Sequence, residues 1–100
     1  MVKHIVMWKF RDDVSPEQKE KLRSELPADF AALVDKVPSL KAVKFISYPL
    51  SSSTHDMALM TEHDDAEGLA AYSAHPEHQA LANAKVRPFT TERAALDYND

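Results

Sequence analysis

Residues 3–10, Lys3-His4-Ile5-Val6-Met7-Trp8-Lys9-Phe10, decide the fold. His4, Val6, Trp8 and Phe10 fall on one side of an extended chain and Ile5, Met7 and Lys9 on the other, the two-residue period of a β-strand. Apolar groups on both sides mean that this strand needs cover above and below. Asp56 to Glu62 repeats the pattern, with Met57, Leu59 and Thr61 against Ala58 and Met60. Leu40 to Leu50, carrying Val43, Phe45 and Ile46 among polar neighbours, reads as a further strand that Pro49 brings to its end. Ser51-Ser52-Ser53-Thr54 then makes a loop. Thr90 to Tyr98 supplies a fourth strand in which Ala94, Leu96 and Tyr98 alternate.

The segments between these strands carry helix signals. Ser15-Pro16-Glu17-Gln18 combines an N-cap, a proline at the first helical position and a capping-box partner. Leu22, Leu26, Phe30, Leu33, Val34 and Val37 follow near the spacing of one helical face. Pro27 is expected to kink or divide this helix, because its ring opposes the carbonyl four residues back, and Pro38 to end it. Asp64-Asp65-Ala66-Glu67 opens a second helix in which Leu69 and Tyr72 share a face until His75-Pro76 interrupts it. The Ala-rich stretch from Glu77 to Val86 predicts a short following helix, stopped by Pro88. The order βαββαβ predicts an α+β, ferredoxin-like unit: one four-stranded antiparallel sheet with helices on one face. The other sheet face is then a large apolar patch. Two such faces stacked about 10 Å apart would give a homodimer with a barrel-like core.

Composition sets the outer limits. One hundred residues, 44% hydrophobic and 28% charged, predict one domain spanning residues 1–100. Sixteen acids against twelve bases give a net charge of -4 with His neutral, and the scattered Lys and Arg build no basic footprint for nucleic acid. No run approaches the roughly 18 apolar residues of a membrane span, so no membrane partner is expected and a cytoplasmic location is the default. With no Cys, the chemistry falls to five His, the carboxylates and three Tyr.

Tyr72, His75 and His78 surround the helix break, where a proline frees backbone groups and lets side chains converge on a cleft. A His with a pKa near neutrality can take a proton from carbon beside a carbonyl, and a Tyr hydroxyl can hydrogen-bond the oxyanion that develops. The pocket is expected to be apolar, lined by Val6, Trp8, Leu69 and Leu81, with His4 and His75 orienting the pair. The architectural reading of the same residues is that His75 caps the helix beginning at Pro76 while Tyr72 fills core and bonds its hydroxyl to His4 or His78. His75 and His78 are three apart, but no third side chain has the spacing of a zinc ligand. His55 and His63, flanking the third strand, read as exposed loop residues. Trp8, Phe10, Met57, Leu59 and Met60 read as core.

The start of the chain through Phe10, then Tyr72, His75-Pro76-Glu77-His78 and the terminal Leu96-Asp97-Tyr98, resembles the stress-responsive dimeric α/β-barrel (Dabb) family over nearly its whole length. The resemblance implies a homodimer of ferredoxin-like units forming a dimeric α/β barrel. In one branch, a plant polyketide cyclase that makes olivetolic acid, a His and a Tyr flank a pocket and promote an aldol-type closure. The matching positions are the second His of the His-Pro-x-His step, His78, and the Tyr six residues earlier, Tyr72. The first-strand His corresponds to His4, whereas a third-strand His of that branch falls nearest Met57. Some family members hold a cation on main-chain carbonyls after the first helix, and the matching positions are Val34, Val37 and Leu40. Such carbonyls suit Mg²⁺ or another hard cation, and no other cofactor is expected.

Two functions from different classes follow. One is a cofactor-free cyclase, isomerase or lyase acting on a carbonyl, polyketide-like substrate, with His78 as base and Tyr72 as hydroxyl donor. The other is a non-catalytic, stress-responsive dimeric module that binds a small apolar or phenolic molecule or assembles further. A haem-degrading or cofactor-free monooxygenase is the third reading, although the His-Pro-x-His step is not the signature of those barrels.

Overall fold

The computed structural model describes residues 1–100. Strand β1 (Val2–Phe10) lies inside a sheet of order β2-β3-β1-β4, with β2 at Ala42–Ile46, β3 at Met57–His63 and β4 at Thr90–Asn99. Each neighbouring pair is antiparallel. Helices α1 (Pro16–Ala32), α2 (Ala66–Ala74) and α3 (Pro76–Leu81) cover one face; a 3₁₀ turn at Leu33–Asp35 continues α1, and a π-helical turn at Ala82–Val86 continues α3. This is the ferredoxin-like architecture that the alternation and helix signals predict. No helix is long and apolar enough to cross a membrane.

The period of β1 determines which residues meet the helices. Val2, His4, Val6, Trp8 and Phe10 are all buried, and the antiparallel register sets Thr61, Leu59 and Met57 of β3 opposite His4, Val6 and Trp8. Leu22, Leu26, Phe30 and Leu33, spaced by four, four and three, bring one stripe of α1 and its 3₁₀ turn onto this face. Phe45 of β2 stacks on both Phe30 and Trp8, with centroids 5.5 and 6.3 Å away.

The odd-numbered side of β1 faces away from the helices. Ile5 is paired with Met60 and Leu96, Met7 with Ala58 and Ala94, and Lys3 with Tyr98. The result is an apolar sheet face on which Leu96 is 63% and Tyr98 40% exposed. Lys3 with Glu62 and Lys9 with Glu92, at 3.0 and 2.8 Å, supply charge at its margins.

Five expectations need correction. The second strand is confined to Ala42–Ile46 and the third runs on to His63. Met60 lies on the sheet face away from the helices, since it pairs with Ile5 rather than with a core residue. Val34 is exposed, because the 3₁₀ turn rotates it off the buried stripe that Leu33 and Val37 continue. Pro27 does not divide α1, which is continuous from Pro16 to Ala32.

The tolerance of Pro27 has a local cause. In an α-helix the amide of residue 27 would donate to the carbonyl of Arg23, and proline has no amide hydrogen. The buried Ser47 hydroxyl donates to that carbonyl at 2.7 Å. The Arg23 side chain returns hydrogen bonds to the carbonyls of Ser47 and Asp56, the latter at 2.9 Å. Asp56 in turn accepts the Phe10 amide at 2.8 Å. The proline's missing donor is thereby replaced from the loop after β2, and α1 is tied to the ends of three strands. Ser47→Ala leaves the Arg23 carbonyl unpaired and is expected to lower the unfolding free energy in urea by about 1–3 kcal/mol. Adding Pro27→Ala restores most of it by supplying the amide; a Ser47→Ala loss of the same size with and without Pro27→Ala would refute the pairing.

Candidate active site

The site begins at the break between α2 and α3. Pro76 cannot donate to a preceding turn, and His75 sits at the junction in extended conformation (φ -64°, ψ 135°), its ring Nδ1 accepting the Glu77 amide at 3.1 Å. His75 is therefore the N-cap of α3. One turn later His78 folds back toward α2, where its Nδ1 bonds the Ser73 carbonyl at 3.0 Å. A carbonyl only accepts, so Nδ1 carries the hydrogen and Nε2 of the neutral ring keeps its lone pair. Burial holds the imidazolium of His78 below its usual range; the Ser73 bond opposes this, and the nearby Arg87, His4 and Arg93 charges reinforce it. A neutral imidazole with a free nitrogen is the form a general base requires.

Tyr72 lies beneath it, with ring centroids 4.4 Å apart. Its hydroxyl is buried and has no hydrogen-bond partner, which corrects the expectation of a bond to His4 or His78. Burial pushes the phenol pKa up, so the group keeps its proton and acts as a donor. The Tyr72 ring also lies against that of His63, with centroids 5.1 Å apart.

His63 is fully buried rather than an exposed loop residue, because the alternation of Met57, Leu59 and Thr61 carries on for one more step. Its Nδ1 donates to the Ser39 carbonyl at 2.8 Å and its Nε2 accepts the Thr61 hydroxyl at 2.9 Å. Both nitrogens are occupied, which makes it a neutral support for Tyr72. His55 is half-buried before β3, with ring contacts to Thr54 and to the Glu92 carbonyl.

A cavity of about 260 Å³ opens between the sheet, α2 and the π-helical turn. Its walls include His4, Val6, Trp8, Tyr72 and His78 from the sequence-based set, together with Phe30 and Leu59. Leu69 and Leu81 pack as partly buried neighbours of the core, and neither they nor His75 reach the cavity wall. Sequence reasoning missed Arg87, Arg93 and Glu92, which also line it, and Asp97, whose carboxylate bonds His4 Nδ1 across the β1–β4 pair. The signal for Asp97 is its spacing within β4, which places it beside His4 once the register is known. No group of three or more His, Cys, Asp or Glu side chains gathers as a metal site. Of the carbonyl positions, that of Val37 accepts the Leu40 amide at 3.0 Å.

A family model described as "Stress responsive A/B Barrel Domain" matches residues 2–100. The chain belongs to the Dabb family. It is 27% identical over 109 aligned residues to a stress-response A/B barrel domain-containing protein of Arabidopsis thaliana, an alignment covering 98% of this chain and 36% of that protein. The chain thus spans about a third of that relative's length. Among solved structures, a dimeric protein of unknown function with a ferredoxin-like fold from Bacteroides fragilis superposes with a TM-score of 0.89 at 31% identity, covering 99% of this chain and 95% of the other. A hydroxynitrile lyase from Passiflora edulis shares the fold, with a TM-score of 0.73 at 18% identity over 97% and 90% of the two chains. At that identity the likeness concerns the fold alone.

Within this Dabb chain, burial lowers the pKa of His63 as well as that of His78. Each ring takes up a proton more readily in the unfolded chain. Stability is therefore fully present above the unfolded value of about 6.5 and declines as pH falls below it, until the folded groups also protonate. The melting temperature is expected to fall between about pH 7 and pH 5.5, with His63→Gln reducing the slope and His63→Gln/His78→Gln reducing it further. Identical slopes in all three proteins would show that neither ring is held neutral by the fold.

Proposed function

We propose that this chain is a homodimeric small-molecule enzyme of the cyclase, isomerase or lyase kind, performing proton transfer beside a carbonyl without a redox cofactor. The observation that carries the reading is the pairing of opposites in one cavity: a buried hydroxyl on Tyr72 with nothing to donate to, and a neutral His78 with a nitrogen free to accept. An unpaired buried hydroxyl costs roughly 1–3 kcal/mol, a cost that disappears when a substrate carbonyl becomes its acceptor.

The chemistry follows from these two groups. His78 Nε2 takes a proton from the carbon next to the carbonyl, and the electron pair of that C–H bond moves onto the carbonyl oxygen, giving an enolate. Tyr72 donates its hydrogen bond to the developing oxyanion, an interaction stronger in the transition state than in the ground state. The imidazolium then returns the proton to the far carbon of a conjugated dienolate, which is isomerisation, or the enolate carbon attacks a second carbonyl within the same molecule and the imidazolium protonates the alkoxide that forms, which is aldol-type closure of a polyketide-like substrate. His4, held by Asp97, positions the substrate from the sheet side. Apolar walls from Val6, Trp8, Phe30 and Leu59 exclude the water that would compete for the enolate.

The homodimer buries the open sheet face, where Ile5, Met7, Met60 and Leu96 form the apolar patch. The dimeric relative of the same fold supports this assembly. Leu96→Lys places a charge on that face, and the expected result in analytical ultracentrifugation is a monomer where the wild type is a dimer; an unchanged sedimentation coefficient would place the interface elsewhere.

The proton-transfer reading is tested with 4-phenylbutan-2-one in D₂O, following loss of the C–H signals beside the carbonyl by NMR. The wild type should accelerate exchange over buffer. His78→Gln should lower the acceleration by about 10²- to 10⁴-fold and Tyr72→Phe by about 10²- to 10³-fold. Because Tyr72→Phe deletes an unpaired polar atom, that variant should melt at or above the wild-type temperature while losing the reaction. Full exchange activity in either variant would assign the pair to architecture, and with it the chain to non-catalytic binding.

A further inference from the structure

The cavity wall carries two charges that the proton-transfer reading does not use. Arg87 follows directly on the π-helical turn, and Arg93 lies one residue beyond Glu92, which has left-handed backbone geometry (φ 50°) at the irregularity in the β1–β4 register. Both arginines line the cavity, on its helix side and its β4 side, and Arg87 and Arg93 are both open to solvent. The inner walls are Val6, Trp8, Phe30 and Leu59, so the cationic groups mark its solvent end.

Neither guanidinium takes part in any of the chain's ion pairs. This runs against composition, since acids outnumber bases sixteen to twelve. Arg87 donates to the amide oxygens of Gln79, at 3.0 Å, and Asn83, at 2.5 Å; these hold the guanidinium in place and leave its charge uncompensated. Glu92, the one acidic side chain in the cavity wall, pairs with Lys9 at 2.8 Å rather than with either arginine. Two guanidiniums at the mouth of an apolar cavity suit a planar anion, for which arginine offers paired parallel donors.

Resting on the assignment of His78 and Tyr72 above, we propose that the ligand is a carbonyl compound that also bears a carboxylate, gripped between Arg87 and Arg93 while its apolar body and carbonyl enter the cavity. The arginines are binding and specificity residues; they take no part in moving the proton. They fix which end of the substrate enters first, and so which carbon is presented to His78. A neutral ketone of the same shape enters without that constraint.

Two compounds that differ in having a carboxylate or a methyl group on the carbonyl carbon test this: 4-phenyl-2-oxobutanoate and 4-phenylbutan-2-one, titrated into the full chain by calorimetry and followed by the His C–H resonances. The acid should bind about tenfold or more tightly than the ketone, with the preference shrinking as salt is raised. Arg93→Gln and Arg87→Gln should each reduce the preference and together abolish it, leaving ketone affinity unchanged. Equal affinity for acid and ketone in the wild type, or a preference that survives both substitutions, overturns the proposal. Unchanged His63 resonances show that the exposed substitutions have not disturbed the fold. An arginine-dependent preference for the acid, with His78 resonances indifferent to both compounds, supports the anion site while removing the proton-transfer reading. His78 shifts from the ketone without any preference for the acid do the reverse.

Discussion

A central strand that is apolar on both sides has no stable existence in a single two-layer unit, and the rest of this molecule is arranged around that constraint. The helices satisfy one side of β1 through Val6, Trp8 and Phe10, while on the other side Ile5 and Met7 lie in an apolar field, shared with β3 and β4, that wants a second sheet. The same alternation carries His4 into the buried layer, where no unpaired imidazole could remain without cost. Asp97 resolves that cost and, in doing so, ties β4 to β1 at the level of the cavity. Packing and chemistry therefore share one register, and a slip of one residue would remove both.

Polar groups in the helix layer follow a second rule: defects in backbone hydrogen bonding are met by specific side chains. Ser47 replaces the donor that Pro27 lacks, His75 caps the helix that Pro76 starts, and Thr90 donates to the Val86 carbonyl at 2.8 Å where the π-helical turn ends. Even the buried His63 has both nitrogens engaged. Against this background the unpaired hydroxyl of Tyr72 is conspicuous, because the same layer supplies partners elsewhere through loops and caps. Two buried hydroxyls, those of Ser39 and Tyr72, are left without a partner, and of the two only Tyr72 belongs to the cavity wall, where an entering group could accept from it.

What the sequence reveals divides along the range of the interactions. The strand period, the caps at Ser15 and at Asp64-Asp65, of which the structure uses Asp65, and the break at His75-Pro76 are local, and each is present in the structure within a few residues. Contacts that depend on register or on a distant loop were not legible. The fate of Pro27 turns on Ser47, in a loop beyond the next strand, and the burial of His63 turns on β3 continuing one residue past the acidic Glu62. The pocket residues show the same division. His4, Tyr72 and His78 are fixed by strand period and helix spacing, whereas Leu69 and Leu81 satisfy the helical period by packing into core rather than by facing the cavity. Arg87 and Arg93 belong to no periodic pattern; a π-helical turn and an irregular strand pairing aim them, and neither device has a signature in a single sequence.

The arginines also bear on how strong a base His78 is. Their positive field is one reason its imidazolium is disfavoured, behind burial itself. A bound carboxylate would neutralise that field at short range and so raise the proton affinity of His78 at the moment a substrate is in place. By linkage the same coupling makes a protonated His78 favour the anion, so binding of the acid and uptake of the proton assist one another. Without the anion the site rests with a neutral, weakly basic imidazole and an idle phenol, in a chain whose net charge of -4 keeps stray anions at a distance. Under the proposed reading the substrate's own charge completes the base that acts on it, and a ketone lacking that charge meets a weaker catalyst as well as a looser grip. That reading places selectivity in the proton-transfer step itself, beyond what differential binding alone would provide.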